Sequence, residues 1–136
     1  ALATGSGKGE TILLVEDEEL VRVAARRALL HCGFQVLEAT NGVHALKVYG
    51  VVRVDLVITD LVMPEMGGRE LAARLRQHNP EMKILFTSGY TDDPTIRGGE
   101  TFAEISFLPK PFTPESLGRK AREVLDGGAP AGLRAV

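Results

Sequence analysis

The sequence predicts an α/β domain, a five-stranded parallel sheet covered by helices on both faces. Short apolar runs rich in β-formers alternate along the chain with longer stretches in helical register. Several of the runs are continuous in Ile, Val and Leu instead of alternating with polar residues, which suits strands buried on both sides. Parallel strands joined by right-handed crossovers need a connection of helical length between each pair, and the intervening stretches supply it.

The elements follow in order. Strand candidates are Thr11 to Val15, Gln35 to Ala39, Asp55 to Thr59, Lys83 to Thr87 and Ile105 to Leu108. After the first, Val21, Ala24, Ala25, Ala28, Leu29 and Cys32 form one helical stripe, with Arg22, Arg26 and Arg27 off it. Cys32 therefore reads as core packing. Gly42, Ala45, Leu46 and Tyr49 repeat the pattern, and Leu71, Ala72 and Leu75 support a third helix. A last helix carries Leu117, Ala121, Val124 and Leu125, with Thr113 as N-cap and Pro114 at its first position. Thr91 to Glu104 contains Pro94, Gly98 and Gly99 and no apolar stripe, so a short, weakly stabilised helix is expected there.

The chain has 136 residues, which at about 150 residues per domain is room for one. Residues 1–9 and 127–136 read as flexible tails around a domain of residues 10–126. Gly5-Ser6-Gly7-Lys8 fails as a phosphate-binding P-loop, because Leu2 and Gly9 stand where that motif needs glycine and Ser or Thr. Sixteen Lys and Arg against eighteen Asp and Glu leave a formal charge of −2. That excludes generic electrostatic binding to nucleic acid or an anionic membrane as the main function. One cysteine allows no internal disulfide. With no membrane-length apolar run and no signal-peptide pattern, the expected compartment is the cytoplasm.

In open parallel sheets the working groups gather at the carboxyl ends of the strands. The first run stops at Glu16-Asp17 and the third at Asp60, so three carboxylates reach one sheet edge. Placed together they repel, which raises their pKa values unless a cation neutralises them. Oxygen-only ligands of this charge suit Mg²⁺, with Mn²⁺ as a substitute, and the lack of His or Cys speaks against zinc. The fourth run ends in Thr87-Ser88-Gly89 and the fifth in Phe107-Leu108-Pro109-Lys110-Pro111-Phe112, adding a hydroxyl and an ammonium. Acids, a hydroxyl and a lysine suit a phosphoryl group, with a carboxylate as nucleophile toward phosphorus. Taken singly, each has a plainer reading: Glu16 and Asp17 as helix-capping acids, Asp60 and Ser88 as loop residues, Lys110 as a solvated charge. Their joint order along the strand ends favours the site.

Four stretches carry a resemblance: Ile12-Leu13-Leu14-Val15-Glu16-Asp17-Glu18, Asp55-Leu56-Val57-Ile58-Thr59-Asp60-Leu61-Val62-Met63-Pro64, Thr87-Ser88-Gly89-Tyr90 and Leu108-Pro109-Lys110-Pro111-Phe112. Together they resemble the receiver domain of two-component response regulators. The resemblance implies a (βα)₅ doubly wound, flavodoxin-like fold, phosphorylation on Asp60, and Mg²⁺ held by Asp17, Asp60 and the Val62 carbonyl, with Glu16 contributing through water. It also implies that Lys110 meets the phosphoryl group beside a cis peptide to Pro111, that Ser88 is the switch hydroxyl, and that Phe107 is the switch aromatic. Val62 and Tyr90 would flank the path of the attacking water and set the lifetime of the acyl phosphate. Gly67 stands where the family often has Asp, Asn or Ser, and is expected to loosen the loop after Asp60.

The implied partners are a histidine kinase or phosphotransfer domain and a downstream protein, with phosphorylation-dependent dimerisation as one outcome. The Thr-Ser-Gly-Tyr and Lys-Pro-Phe-Thr-Pro-Glu stretches look like C-terminal receivers of hybrid sensor histidine kinases. His31, His44 and His78 are scattered and read as packing or surface residues. Two rival functions differ in what they need: a pseudo-receiver would have lost site residues, and an aspartate-nucleophile hydrolase would place a second Asp where Val62 stands.

Overall fold

The structure, a computed structural model, describes residues 9–88 and 106–127. The expected helix at Thr91 to Glu104, Tyr90, and most of both expected tails lie outside the described residues. The described chain runs β1 (Thr11–Val15), α1 (Glu19–His31), β2 (Gln35–Ala39), α2 (Gly42–Tyr49), β3 (Leu56–Asp60), α3 (Gly68–His78), β4 (Ile84–Ser88), β5 (Ser106–Pro109) and α4 (Pro114–Gly127). The five strands form one parallel sheet in the order β2-β1-β3-β4-β5.

β1 and β2 match the sequence expectation, whereas β3 and β4 each start and end one residue later than their apolar runs suggest and β5 ends one residue later. The backbone ladder explains the shift. Asp60 pairs with Thr87 and Ser88 with Pro109, so both polar residues are paired within strands. At the other end, Asp55 accepts the Thr11 N–H on its carboxylate at 2.9 Å, serving as a strap before the strand. α4 likewise continues through Gly127, one residue into the stretch that composition assigns to a tail.

Side chains of a strand alternate between faces, so the sheet separates two cores. Ile12, Leu14, Leu56, Ile58 and Leu85 pack with Ala25, Ala28 and Leu29 of α1 and with Leu117, Ala121, Val124 and Leu125 of α4. Leu13, Val15, Val57, Ile84 and Phe86 pack on the other face with Ala45 of α2 and with Leu71, Ala72 and Leu75 of α3. Burial of each large aliphatic side chain is worth about 1.5–3 kcal/mol, which makes the two cores the main source of stability. Among the described residues, no helix is long and apolar enough to cross a membrane.

Thr113 begins α4 as expected: its Oγ1 accepts the Ser116 N–H at 3.0 Å, and Ser116 Oγ accepts the Thr113 N–H at 3.0 Å. α1 departs from its expected stripe at two places. Ala24 is exposed, while Arg22 is mostly buried and lies back along the protein.

α1 and α4 touch through Cys32 and Gly118, where a Cβ on the glycine would stand 2.5 Å from Cys32 Sγ. Gly118→Ala alone should lower stability by about 1–3 kcal/mol through overpacking, although alanine is intrinsically better in a helix by about 1 kcal/mol. Combined with Cys32→Ala the obstacle disappears. A denaturant double-mutant cycle should show a coupling of about 1 kcal/mol or more, and strict additivity would contradict the contact.

Candidate functional site

The chain leaves β1 to form β2 on one side and then crosses to form β3 on the other, so the strand order reverses between β1 and β3. Such a switch point opens a crevice at the carboxyl ends of the two strands. Val15 pairs with Thr59, so Glu16 and Asp60, one step further on, stand side by side. Glu16, Asp17 and Asp60 each place a carboxylate oxygen within 4.8 Å of the others, with Glu16 and Asp60 buried and Asp17 exposed.

Lys110, just past β5, reaches into this cluster. Its Nζ lies 3.0 Å from Glu16 Oε1 and 3.2 Å from Asp60 Oδ2, with exposed Glu18 Oε1 at 4.0 Å. Its backbone N–H donates to the Ser88 carbonyl at 2.8 Å, fixing the end of β5 to the end of β4, and the Lys110–Pro111 peptide is cis. Burial pushes the Glu16 carboxyl above its ordinary pKa, and the charge of Asp60 adds to this; the Glu18 N–H and Lys110 oppose it. For Lys110, burial works downward, but the Glu16 and Asp60 carboxylates outweigh it and hold the amine firmly as an ammonium.

The donors in the cluster are all oxygens, as a hard divalent cation requires, and the exposed Asp17 gives it an open side. Ser88 Oγ is buried with no hydrogen-bond partner among the described residues. A buried hydroxyl in that state is unusual and is explained where a ligand oxygen completes it. The residues present therefore fit both a small cation and a phosphoryl group.

The remaining sequence-predicted residues are placed as follows. Val62, in the loop after β3, is 60% exposed, and Phe107 on β5 is half-buried against the core shared with α2 and α3. The plainer reading of Glu16 as a capping acid is partly realised: its Oε2 accepts the Glu18 N–H at 3.1 Å, although Glu18, the N-cap of α1, makes no side-chain cap bond.

Three features were not foreseen. Gly67, expected to loosen the loop after Asp60, has a steric role as well: its Cβ position lies 2.7 Å from the Leu61 carbonyl oxygen, and the Gly68 N–H donates to that same oxygen at 2.9 Å. Gly68 is tighter still: a Cβ there would run into the Asp60 carbonyl oxygen. The Gly67-Gly68 dipeptide following Met63-Pro64 was the available signal. The third is Arg22, whose Nη1 donates to the Glu16 carbonyl at 2.9 Å, and no periodicity flags it.

A parallel α/β sheet with an acid cluster and a lysine at its switch point defines the class of phosphoacceptor signalling domains. The profile of the family described as "Response regulator receiver domain" matches residues 12–122, and the chain belongs to that family. It is 42% identical over 126 residues to "Sensor kinase CckA" of Brucella abortus (strain 2308), covering 91% of this chain and 13% of that protein. With "Response regulator MprA" of Mycobacterium sp. (strain KMS) it shares 34% identity over 120 residues, covering 88% of this chain and 52% of the relative. The chain thus spans only a part of these relatives.

Among solved structures, the receiver domain from hybrid histidine kinase CckA superposes with a TM-score of 0.69 at 31% identity, covering 85% of this chain and 98% of that one. A response regulator receiver protein from Sinorhizobium medicae WSM419 gives a TM-score of 0.77 at 26% identity, covering 88% and 96%. The domain is therefore a signalling module of two-component systems with the flavodoxin-like fold.

The glycine contacts are directly testable. Gly68→Ala should cost about 1–3 kcal/mol in urea unfolding, because the methyl meets backbone that has no rotamer to yield. Gly127→Ala, with nothing within 4 Å of its Cβ, should cost nothing. Equal behaviour of the two would refute the close approach.

Proposed function

We propose that this domain accepts a phosphoryl group on Asp60 from a phosphohistidine of a histidine kinase or phosphotransfer domain. The observation that carries the reading is Lys110 bridging Glu16 and Asp60 at the switch point. A carboxylate oxygen of Asp60 attacks phosphorus, the P–N bond to histidine breaks, and an acyl phosphate forms. Mg²⁺, or Mn²⁺ in its place, would be held by Asp17, Asp60 and the Val62 carbonyl, with Glu16 contributing through water, where it would offset charge on the transferring group. Lys110 already carries its positive charge beside Asp60, close to where the added oxygens would stand.

Ser88 supplies a hydroxyl for those oxygens, and Phe107 follows its movement, so that a change of charge at Asp60 alters a surface read by a downstream protein. The module modifies itself and turns over no external substrate, as expected of a cytoplasmic switch that is one part of a longer signalling protein or an independent chain. The relation to a hybrid kinase receiver supports the first of these. A hydrolase is disfavoured by Val62, which stands where such an enzyme needs a general acid, and a pseudo-receiver by the full set of acids, hydroxyl and lysine.

Incubation with acetyl phosphate and Mg²⁺, followed by intact-mass analysis, should show a single added phosphoryl group. Asp60→Ala or a chelator should abolish it; an unmodified wild-type chain would overturn the reading. Val62 and Tyr90 should shield the acyl phosphate from water. The double substitution of Val62→Asn with Tyr90→Glu is accordingly expected to shorten the phosphoryl lifetime, measured as decay of the modified mass after removal of the donor.

A further inference from the structure

Glu16 and Asp17 sit on the short turn between β1 and α1, and how well that turn keeps its shape decides where their carboxylates stand. Within the turn Glu16 Oε2 accepts the Glu18 N–H at 3.1 Å, while the Glu18 side chain makes no cap bond. The turn is held a second time from the next turn of the helix. Arg22 Nη1 donates to the Glu16 carbonyl at 2.9 Å, while its Nε donates to Glu38 Oε1 at 3.1 Å. Glu38 lies on β2 beside Ala39, whose carbonyl accepts the Glu16 N–H at 3.0 Å. Both backbone polar groups of Glu16 are thereby tied to the end of β2, one directly and one through Arg22 and Glu38.

Glu38 is itself steadied by Arg26, whose Nε lies 3.1 Å from Oε2. The Arg22 side chain is only 16% exposed, so this is not a solvated surface pair of little consequence. The planar guanidinium spans two acceptors at fixed angles, a geometry that an ammonium does not reproduce.

We propose that Arg22, anchored by Glu38, is a positioning residue for divalent-cation binding: it fixes the Glu16-Asp17 turn so that both carboxylates are presented beside Asp60. The inference rests on the reading of the acid cluster as a cation site. Arg22 touches a backbone carbonyl and none of the three clustered carboxylates, so it acts through them and not as a ligand. Charge and positioning have opposite signs here. A guanidinium near the cluster repels a cation, so if Arg22 acted only through its charge, removing it would tighten binding; loss of positioning weakens it.

The test is calorimetric titration of the phosphoryl-donor-free chain with Mn²⁺, alongside thermal unfolding in chelator to report folding separately. Wild type should bind one ion, and Asp17→Asn should abolish binding. Arg22→Ala should weaken affinity about tenfold, the scale typical of residues that orient metal ligands. Arg22→Lys, which keeps the charge but loses the fork, should fall between them, and it carries the test if Arg22→Ala does not fold. Wild-type or tighter affinity in Arg22→Ala, or wild-type affinity in Arg22→Lys where only that variant folds, overturns the role of Arg22 while leaving the cation reading intact. A wild-type chain that binds no Mn²⁺ overturns both.

Discussion

Two buried carboxylates held side by side by one ammonium are the interaction on which the rest of this structure depends. Glu16 and Asp60 each lie one residue beyond the last paired step of β1 and β3, Val15 with Thr59, so their proximity is a consequence of topology. Burying like charges together costs several kcal/mol per ion unless a counter-charge offsets it. Lys110 provides that charge from just past β5, with β3 and β4 lying between β5 and β1. Burial and the neighbouring Asp60 charge push the Glu16 carboxyl upward despite the lysine. The cluster offers only oxygen donors and an open side at Asp17, which is what a hard divalent cation requires.

The backbone around the cluster is drawn in as tightly as the side chains. Gly67 and Gly68 bring the start of α3 onto the carbonyls of Asp60 and Leu61 at a distance no Cβ permits. The intervening loop turns through Glu65 at φ 68°, a left-handed conformation that side-chain-bearing residues seldom adopt, and buries Met63 and Met66 beneath it. Met66 packs where a Cβ on Gly42 would otherwise stand, and its carbonyl accepts the Gly42 N–H at 3.3 Å, so the loop is locked onto α2 as well. Asp60 is thus fixed from behind by backbone contacts, and its carboxylate is left to the chemistry in front.

Most of this was legible in the sequence for a simple reason: each site residue terminates an apolar run, and parallel strands deliver their ends to one edge. Glu16, Asp17, Asp60, Ser88 and Lys110 could be read that way without knowing any distance. The strand limits at Asp60 and Ser88 were misjudged by one residue because polarity marks the end of an apolar run, whereas the ladder continues through the backbone regardless of the side chain. Arg22 escaped notice because helical periodicity assigns a charged residue to the solvent side. A long side chain can lie back along the protein with only its head committed, and its partner Glu38 is sixteen residues away on β2. The glycine contacts were equally hidden, since a close approach is a property of two segments and no single segment records it.

The same connections that hold the site also define how a change there would travel. Lys110 is joined to Asp60 through its side chain and to Ser88 through its backbone N–H, so β4 and β5 meet the acid cluster at a single residue. A phosphoryl group at Asp60 would share that ammonium, and the end of β5 is the element attached to it. Phe107 and Leu108 occupy that strand and face opposite cores, Phe107 toward α2 and α3 and Leu108 toward α1 and α4. β5 therefore borders both layers at once, with Phe107 half-buried beside the closed packing behind β3. The acids stand at the β1 and β3 end of the site, closed in by backbone contacts, and Lys110 joins them from the β5 end, between the two cores.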